Sequence, residues 1–81
     1  MKKQQIFEDV VLICKRVFHD EQVNITESTN ANDIKNWDSM TNLFLIDSLE
    51  KEFGMKFSIN EIMDAQNVGD LCKIIEVKKE P

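Results

Sequence analysis

The sequence predicts an all-α fold: a four-helix bundle with three longer helices, one short third helix and a long first loop. Three observations carry that expectation. Near the N-terminus Ile6, Val10, Ile13 and Val17 recur at steps of four, three and four, the spacing of one helix face. Only two glycines and one proline (Pro81) interrupt 81 residues, too few breakers for a turn-rich sandwich. Helix start and stop residues punctuate the remainder: Asp38, Gly54, Ser58 and Asn67 each stand beside an apolar periodic stretch.

The first helix is expected over residues 4–19, with Phe7, Cys14 and Phe18 widening its apolar stripe. Residues 20–38 lose the period and crowd Asn, Thr, Ser and Asp together, which reads as a long loop. Val23, Ile25, Ile34 and Trp37 are the residues that would pin it to the core, and a loop this long in a small domain often has a function. The second helix spans 39–53, with Asp38 as its N-cap and Gly54 ending it in a left-handed turn. Met55 to Phe57 is a short apolar connector. Ser58 and Glu61 have the spacing of a capping box, opening a third helix of a turn or two through Met63. Asn67 caps the fourth helix, whose apolar face holds Val68, Leu71, Ile74 and Ile75. Lys73, Lys78 and Lys79 lie toward its C-terminal end, where the helix dipole favours cations.

Length suits one domain over residues 1–81. The formal charge is −5, from 15 acids and 10 bases. Residues 38–70 hold seven acids and two bases, so the negative field sits in the middle of the chain. Nucleic-acid binding wants the opposite sign, and cationic partner surfaces are expected instead. Cys14 and Cys72 fall in apolar helical stretches, without metal-ligand spacing, and read as reduced core thiols of a cytoplasmic protein. No metal site is expected, and no D-x-D-x-D-G calcium loop occurs. No stretch approaches membrane-spanning length, and the N-terminus carries acids where a signal peptide needs an apolar run, so membrane insertion is not expected.

On a helical wheel the second helix has two apolar faces. Leu45, Ile46, Leu49 and Phe53 cluster on one side as the core face. Met40, Leu43 and Phe44 fall on the other, beside Asp47 and Lys51. A bundle this small needs one buried stripe per helix. The second face is therefore expected to be exposed and to meet partners, unless the long loop folds over it.

Ser39 follows Asp38 at the first turn of that helix. Taken alone, Asp-Ser is a common helix start. Here it belongs to an ordered set: Asp38-Ser39-Met40, Leu45, Leu49-Glu50, Glu52-Phe53-Gly54 and Val68-Gly69-Asp70-Leu71. That set resembles the acyl carrier protein family over nearly the whole chain. The resemblance implies that Ser39 receives 4′-phosphopantetheine from coenzyme A, and that acyl groups ride as thioesters on the arm's thiol. It also implies the family's four-helix bundle. The partners would be a phosphopantetheinyl transferase, an acyl- or aminoacyl-loading ligase and downstream acyl-transfer enzymes with basic surfaces. Met40, Leu43, Phe44, Asp47, Glu50, Glu61 and Ile62 are the candidate partner-binding residues, and Asp38 joins Ser39 at the cofactor site. Free N–H groups and the dipole at the helix start would favour the phosphate.

Nothing in the sequence activates Ser39. His19, the sole histidine, lies at the end of the first helix and reads as a surface or loop-packing residue. The chain is expected to be a carrier and substrate, not an enzyme, and most simply a monomer. It departs from the family's fatty-acid members in three places. Asn36-Trp37 stands where those usually carry a glycine, and Thr41 and Phe44 occupy positions where acids are frequent. Asp-Ser-Met is also similar to D-alanyl carrier proteins. A specialised carrier is the leading expectation. A general fatty-acid carrier is the first alternative, and a non-catalytic helical adaptor the second. Trp37 has two readings, lining the arm's exit or packing the loop on the core. On the third helix Ile62 is divided between core and partner face, and Met63 is assigned to the core.

Overall fold

A computed structural model describes residues 2–79, so the ends of the expected 1–81 domain lie outside the described residues. It contains four helices and, among the described residues, no strand: α1 (Lys3–Val17), α2 (Ser39–Phe53), α3 (Ile59–Asp64) and α4 (Val68–Lys79). The all-α expectation holds, and boundaries agree to within two residues, the largest difference being at α1, which ends at Val17 instead of position 19.

α1 ends early because the chain leaves the helix through a left-handed residue. The His19 N–H donates to the Arg16 carbonyl at 3.3 Å, and the Asp20 N–H to the Lys15 carbonyl at 3.0 Å. This pair of bonds is a Schellman motif, which satisfies carbonyls that a helix end would leave bare. His19 takes the left-handed position with φ 54, where glycine is the usual occupant. Gly54 does the same for α2 at φ 62, with the Met55 N–H reaching the Glu50 carbonyl at 3.2 Å.

α1 packs against both α2 and α4. The core gathers Ile6, Val10, Ile13, Cys14 and Phe18 from the α1 region, Leu45, Ile46, Leu49 and Phe53 from α2, and Val68, Leu71, Cys72 and Ile75 from α4. All four residues assigned to the core face of α2 are buried. Cys14 and Cys72 are free, buried thiols, each pushed up to about 12 by burial. The long loop contributes Ile25, Ile34 and Trp37 to the same core, with Val23 half-buried.

The loop also docks on the start of α4. The Val68 N–H donates to the Thr29 carbonyl at 2.9 Å, and the Gly69 N–H to the Glu27 carbonyl at 2.7 Å. The Asn67 side chain accepts the Asp70 N–H at 2.8 Å, as expected of a cap. Backbone carbonyls of the loop and one side chain thus cover three N–H groups that a helix start leaves unpaired.

α3 is the least anchored element, since none of its residues is buried. Its capping box forms as expected, with Ser58 accepting the Glu61 N–H at 3.1 Å and Glu61 accepting the Ser58 N–H at 2.8 Å. Lys78 of α4 then ties it down. Its ammonium lies 2.8 Å from Glu61 and donates to the Lys56 carbonyl at 2.7 Å. Lys78 therefore serves the α3–α4 contact as well as its own helix end. No helix among the described residues is long and apolar enough to cross a membrane.

Candidate functional site

The start of α2 is built from the three residues before it and the three after Ser39. The Asp38 backbone is extended, at φ −121 and ψ −172, so its carboxylate folds over the first turn. One carboxylate oxygen accepts the Met40 N–H at 3.0 Å and the Thr41 N–H at 2.9 Å. The Thr41 hydroxyl oxygen accepts the Asp38 N–H at 2.8 Å, completing a reciprocal capping box, and donates to the Asn36 carbonyl at 2.6 Å. The Thr41 N–H bond and the other helix-start donors hold the Asp38 carboxyl below its usual range, because they stabilise the ionised form.

The segment leading into Ser39 is fixed to α1. The Asn36 amide donates to the Phe18 carbonyl at 2.8 Å. The Trp37 ring packs on Phe18 with centroids 5.2 Å apart and planes tilted by 33°. The indole N–H donates to the Asn42 side chain at 3.0 Å, so the buried ring leaves no unpaired donor. Ser39 itself is exposed at the first position of α2.

Beside Ser39 lies an open groove of about 310 Å³. α2 supplies Ser39, Asn42 and Ile46, α3 and the following turn supply Ile62 and Gln66, and α4 closes the floor with Leu71. Trp37 packs the loop on the core, as one reading of it expects, and its ring also forms part of the groove wall. The groove holds no histidine. His19 sits on another surface with Leu12 and Arg16, which leaves it nothing to do at Ser39.

The second face of α2 is open to solvent. Met40 and Leu43 are each 65% exposed and Phe44 59%, so the long loop does not cover them. Asp47 is exposed and pairs with Lys51 one turn on, at 3.0 Å.

Four sequence expectations need correction. The free amide cradle expected for a phosphate is closed, because Asp38 occupies the Met40 and Thr41 N–H groups. Glu50 does not stand on the exposed face. Its side chain is only 15% exposed, accepts the Phe57 N–H at 2.8 Å and lies 3.7 Å from Lys56, tying the turn after α2. Glu61 is half-buried and committed to Ser58 and Lys78, whose ammonium bond is the main reason its carboxyl is held below the usual range. Met63 is 73% exposed instead of packed in the core. In so short a helix the cap sets the phase, and Ser58 places Ile59 and Met63 together on the outer side, four residues apart. Ile62 then turns inward and lines the groove half-buried.

Asn42, Gln66 and Leu71 were not singled out from sequence as groove residues. Their local pattern carries no signal, since the groove exists only where three helices meet. Among the described residues no cluster of three or more His, Cys, Asp or Glu side chains could hold a metal ion.

Residues 8–75 match the family described as the phosphopantetheine attachment site. The chain is 35% identical over 77 residues to an acyl carrier protein of Coprothermobacter proteolyticus, covering 94% of this chain and 93% of that one. Its fold is similar to the solution structure of a holo acyl carrier protein from Geobacter metallireducens, with a TM-score of 0.85 and 37% identity over 90% of this chain and 84% of that one. A solved chain from Mycobacterium tuberculosis superposes with a TM-score of 0.82 at 25% identity, covering 90% and 97% of the two chains. An exposed serine at a capped helix start, beside an open groove, accommodates a group attached through a phosphodiester. The chain therefore belongs to the acyl carrier protein family, with covalently attached 4′-phosphopantetheine as its cofactor.

Proposed function

We propose that Ser39 bears the phosphopantetheine arm and that the chain is a non-catalytic carrier serving one specialised acyl or aminoacyl pathway. The observation that supports this most directly is the exposed Ser39 at a capped helix start, with a groove beside it that holds no histidine and whose one carboxylate, Asp38, is taken up by the Met40 and Thr41 N–H groups.

In loading, the Ser39 oxygen forms a bond to the phosphopantetheine phosphorus of coenzyme A. The bond from that phosphorus to the 3′,5′-ADP leaving group breaks, and the hydroxyl proton passes to a base. That base belongs to the transferase, since the groove at Ser39 holds no histidine and no nucleophile–base pair. When bound, the arm supplies a terminal thiol that holds cargo as a thioester. The chain's own residues position it. The Asp38–Thr41 box keeps Ser39 at a fixed exit from the helix, Trp37 and Asn36 anchor the approach, and Asn42, Ile46 and Ile62 offer a mixed polar and apolar wall. Asp38 also places a carboxylate beside the reacting serine, where a transferase could set a metal ion or a basic side chain.

The specialised reading rests on α2. Thr41, where fatty-acid carriers often have an acid, is spent on the capping box, and Phe44 presents a bare ring. The experiment is intact mass after incubation with coenzyme A, magnesium and a broad-specificity phosphopantetheinyl transferase. The expected result is a gain of one phosphopantetheine on the wild type and none on Ser39→Ala. Efficient elongation of the loaded chain by general fatty-acid synthesis enzymes would overturn the specialised part alone.

A further inference from the structure

The groove beside Ser39 mixes carboxamides with apolar side chains. Asn42 stands on its α2 wall, and Gln66 and Asn67 line it from the turn before α4. The fold fixes which way two of these amides face. The Asn42 oxygen accepts the Trp37 indole N–H at 3.0 Å, and the Asn67 oxygen accepts the Asp70 backbone N–H at 2.8 Å. Both partners are donors only, so each must meet the amide oxygen, and neither side chain can flip without losing its bond. The NH2 groups of Asn42 and Asn67 are left over, and neither has an acceptor among the described residues. Both residues are half-buried. An alkyl chain laid against such a donor would strip its water and return no hydrogen bond, which is unfavourable, whereas an oxygen acceptor would replace what the water gave.

We propose that this groove selects an acyl cargo carrying a neutral carbonyl beyond the thioester, a keto or amide group, whose oxygen accepts from the NH2 groups of Asn42 and Asn67. The proposal rests on Ser39 being the attachment residue, and it names the class of acyl group that the arm brings. The charge of the site favours a neutral acceptor over a carboxylate. Asp38 lines the same groove, with its carboxylate kept ionised by the Met40 and Thr41 N–H groups. A phosphodiester on Ser39 adds a second negative charge beside it, so a carboxylate on the cargo would meet like charge on entering. Ile46, Ile62 and Leu71 complete the groove and give the hydrocarbon part of the cargo an apolar surface. Selection of this kind is sharp because a held donor rejects a group that cannot pair with it.

The test loads the wild type, Asn42→Asp and Asn67→Asp from acyl-coenzyme A, using a broad-specificity phosphopantetheinyl transferase and magnesium. The acyl group is either a straight alkyl chain or its β-keto counterpart of the same length. Aspartate keeps the oxygen that Trp37 or Asp70 needs and removes only the NH2, and circular dichroism checks that each variant folds. Two readouts are taken: the side-chain NH2 signals of Asn42 and Asn67 by NMR, and the rate at which hydroxylamine cleaves the thioester. Each rate is divided by that of the free acyl-coenzyme A, which cancels intrinsic reactivity. On the wild type the keto cargo is expected to move both NH2 signals and to be protected about twofold to tenfold more than the alkyl cargo, the scale of one neutral hydrogen bond. Each variant is expected to lose much of that preference. Equal or greater protection of the alkyl chain overturns the proposal, as does a keto preference that survives both substitutions. NH2 signals that move as far with the cargo-free arm also overturn it, since the arm's own amide carbonyls would then be the acceptors. Failure of the wild type to gain mass would instead overturn the carrier reading, so the failures are distinct.

Discussion

Replacing Gly69 by alanine brings a methyl carbon to 2.9 Å from the Glu27 carbonyl oxygen, 3.2 Å from the Glu27 Cβ and 3.3 Å from the Asn67 side-chain oxygen. At an open helix position the same change would stabilise by about 1 kcal/mol, because alanine is the better helix former. Here two of the three close neighbours belong to a loop residue whose carbonyl accepts the Gly69 N–H at 2.7 Å. Backbone cannot rotate aside as a flexible side chain does. The loop must lift from α4, stretching the Gly69–Glu27 bond and loosening the adjacent Val68–Thr29 bond. Overpacking of this kind costs about 1–3 kcal/mol, and each lost hydrogen bond roughly 1 kcal/mol more. Set against the propensity gain, the net effect is a destabilisation of about 1–3 kcal/mol. At roughly 4–8 °C per kcal/mol for a domain of this size, Tm should fall by about 5–20 °C. Thermal unfolding followed by circular dichroism measures it. An unchanged or higher Tm for Gly69→Ala would refute the reasoning, since it would mean that the loop yields freely and helix propensity decides.

Two further substitutions probe the helix ends. Asp38→Ala removes the acceptor for the Met40 and Thr41 N–H groups and should lower Tm at neutral pH. The folded state holds the Asp38 carboxyl below 3.8, so its contribution is present above that value and lost as pH falls through the lower folded value; the gap between wild-type and variant Tm should narrow in acid, and a constant gap would disprove the charge-dependent cap. His19→Gly relieves a non-glycine residue at φ 54 and should stabilise by about 0.5–1 kcal/mol, read from chemical denaturation, with a lower stability as the contrary result.

The features legible in the sequence are those made by residues a few positions apart. Asp38, Ser58 and Asn67 act on N–H groups two or three residues downstream, and Gly54 turns a single residue left-handed. The core face of α2 follows from spacing alone, and all four of its residues are buried. The open second face follows from the same wheel, although only the packed structure shows the long loop going elsewhere, to the start of α4. Thr41 is an intermediate case. Its place three residues after Asp38 has capping-box spacing, but the hydroxyl closing the box was not anticipated, because Glu or Gln is the usual partner there.

By itself the sequence determined the helix count, the caps, the family and the position of Ser39 at a helix start. Tertiary structure decided which polar groups remained available to a ligand or partner. Asp38 and Glu50 were taken up by backbone N–H groups, and Glu61 by Lys78, 17 positions away. It also decided the groove, whose walls come from segments as distant as Trp37 and Leu71. The physical reason is that hydrogen bonds and burial are competitive. Each donor, acceptor and apolar surface goes to the best partner that the fold brings near, and spacing along the chain reports only the partners within a turn or two.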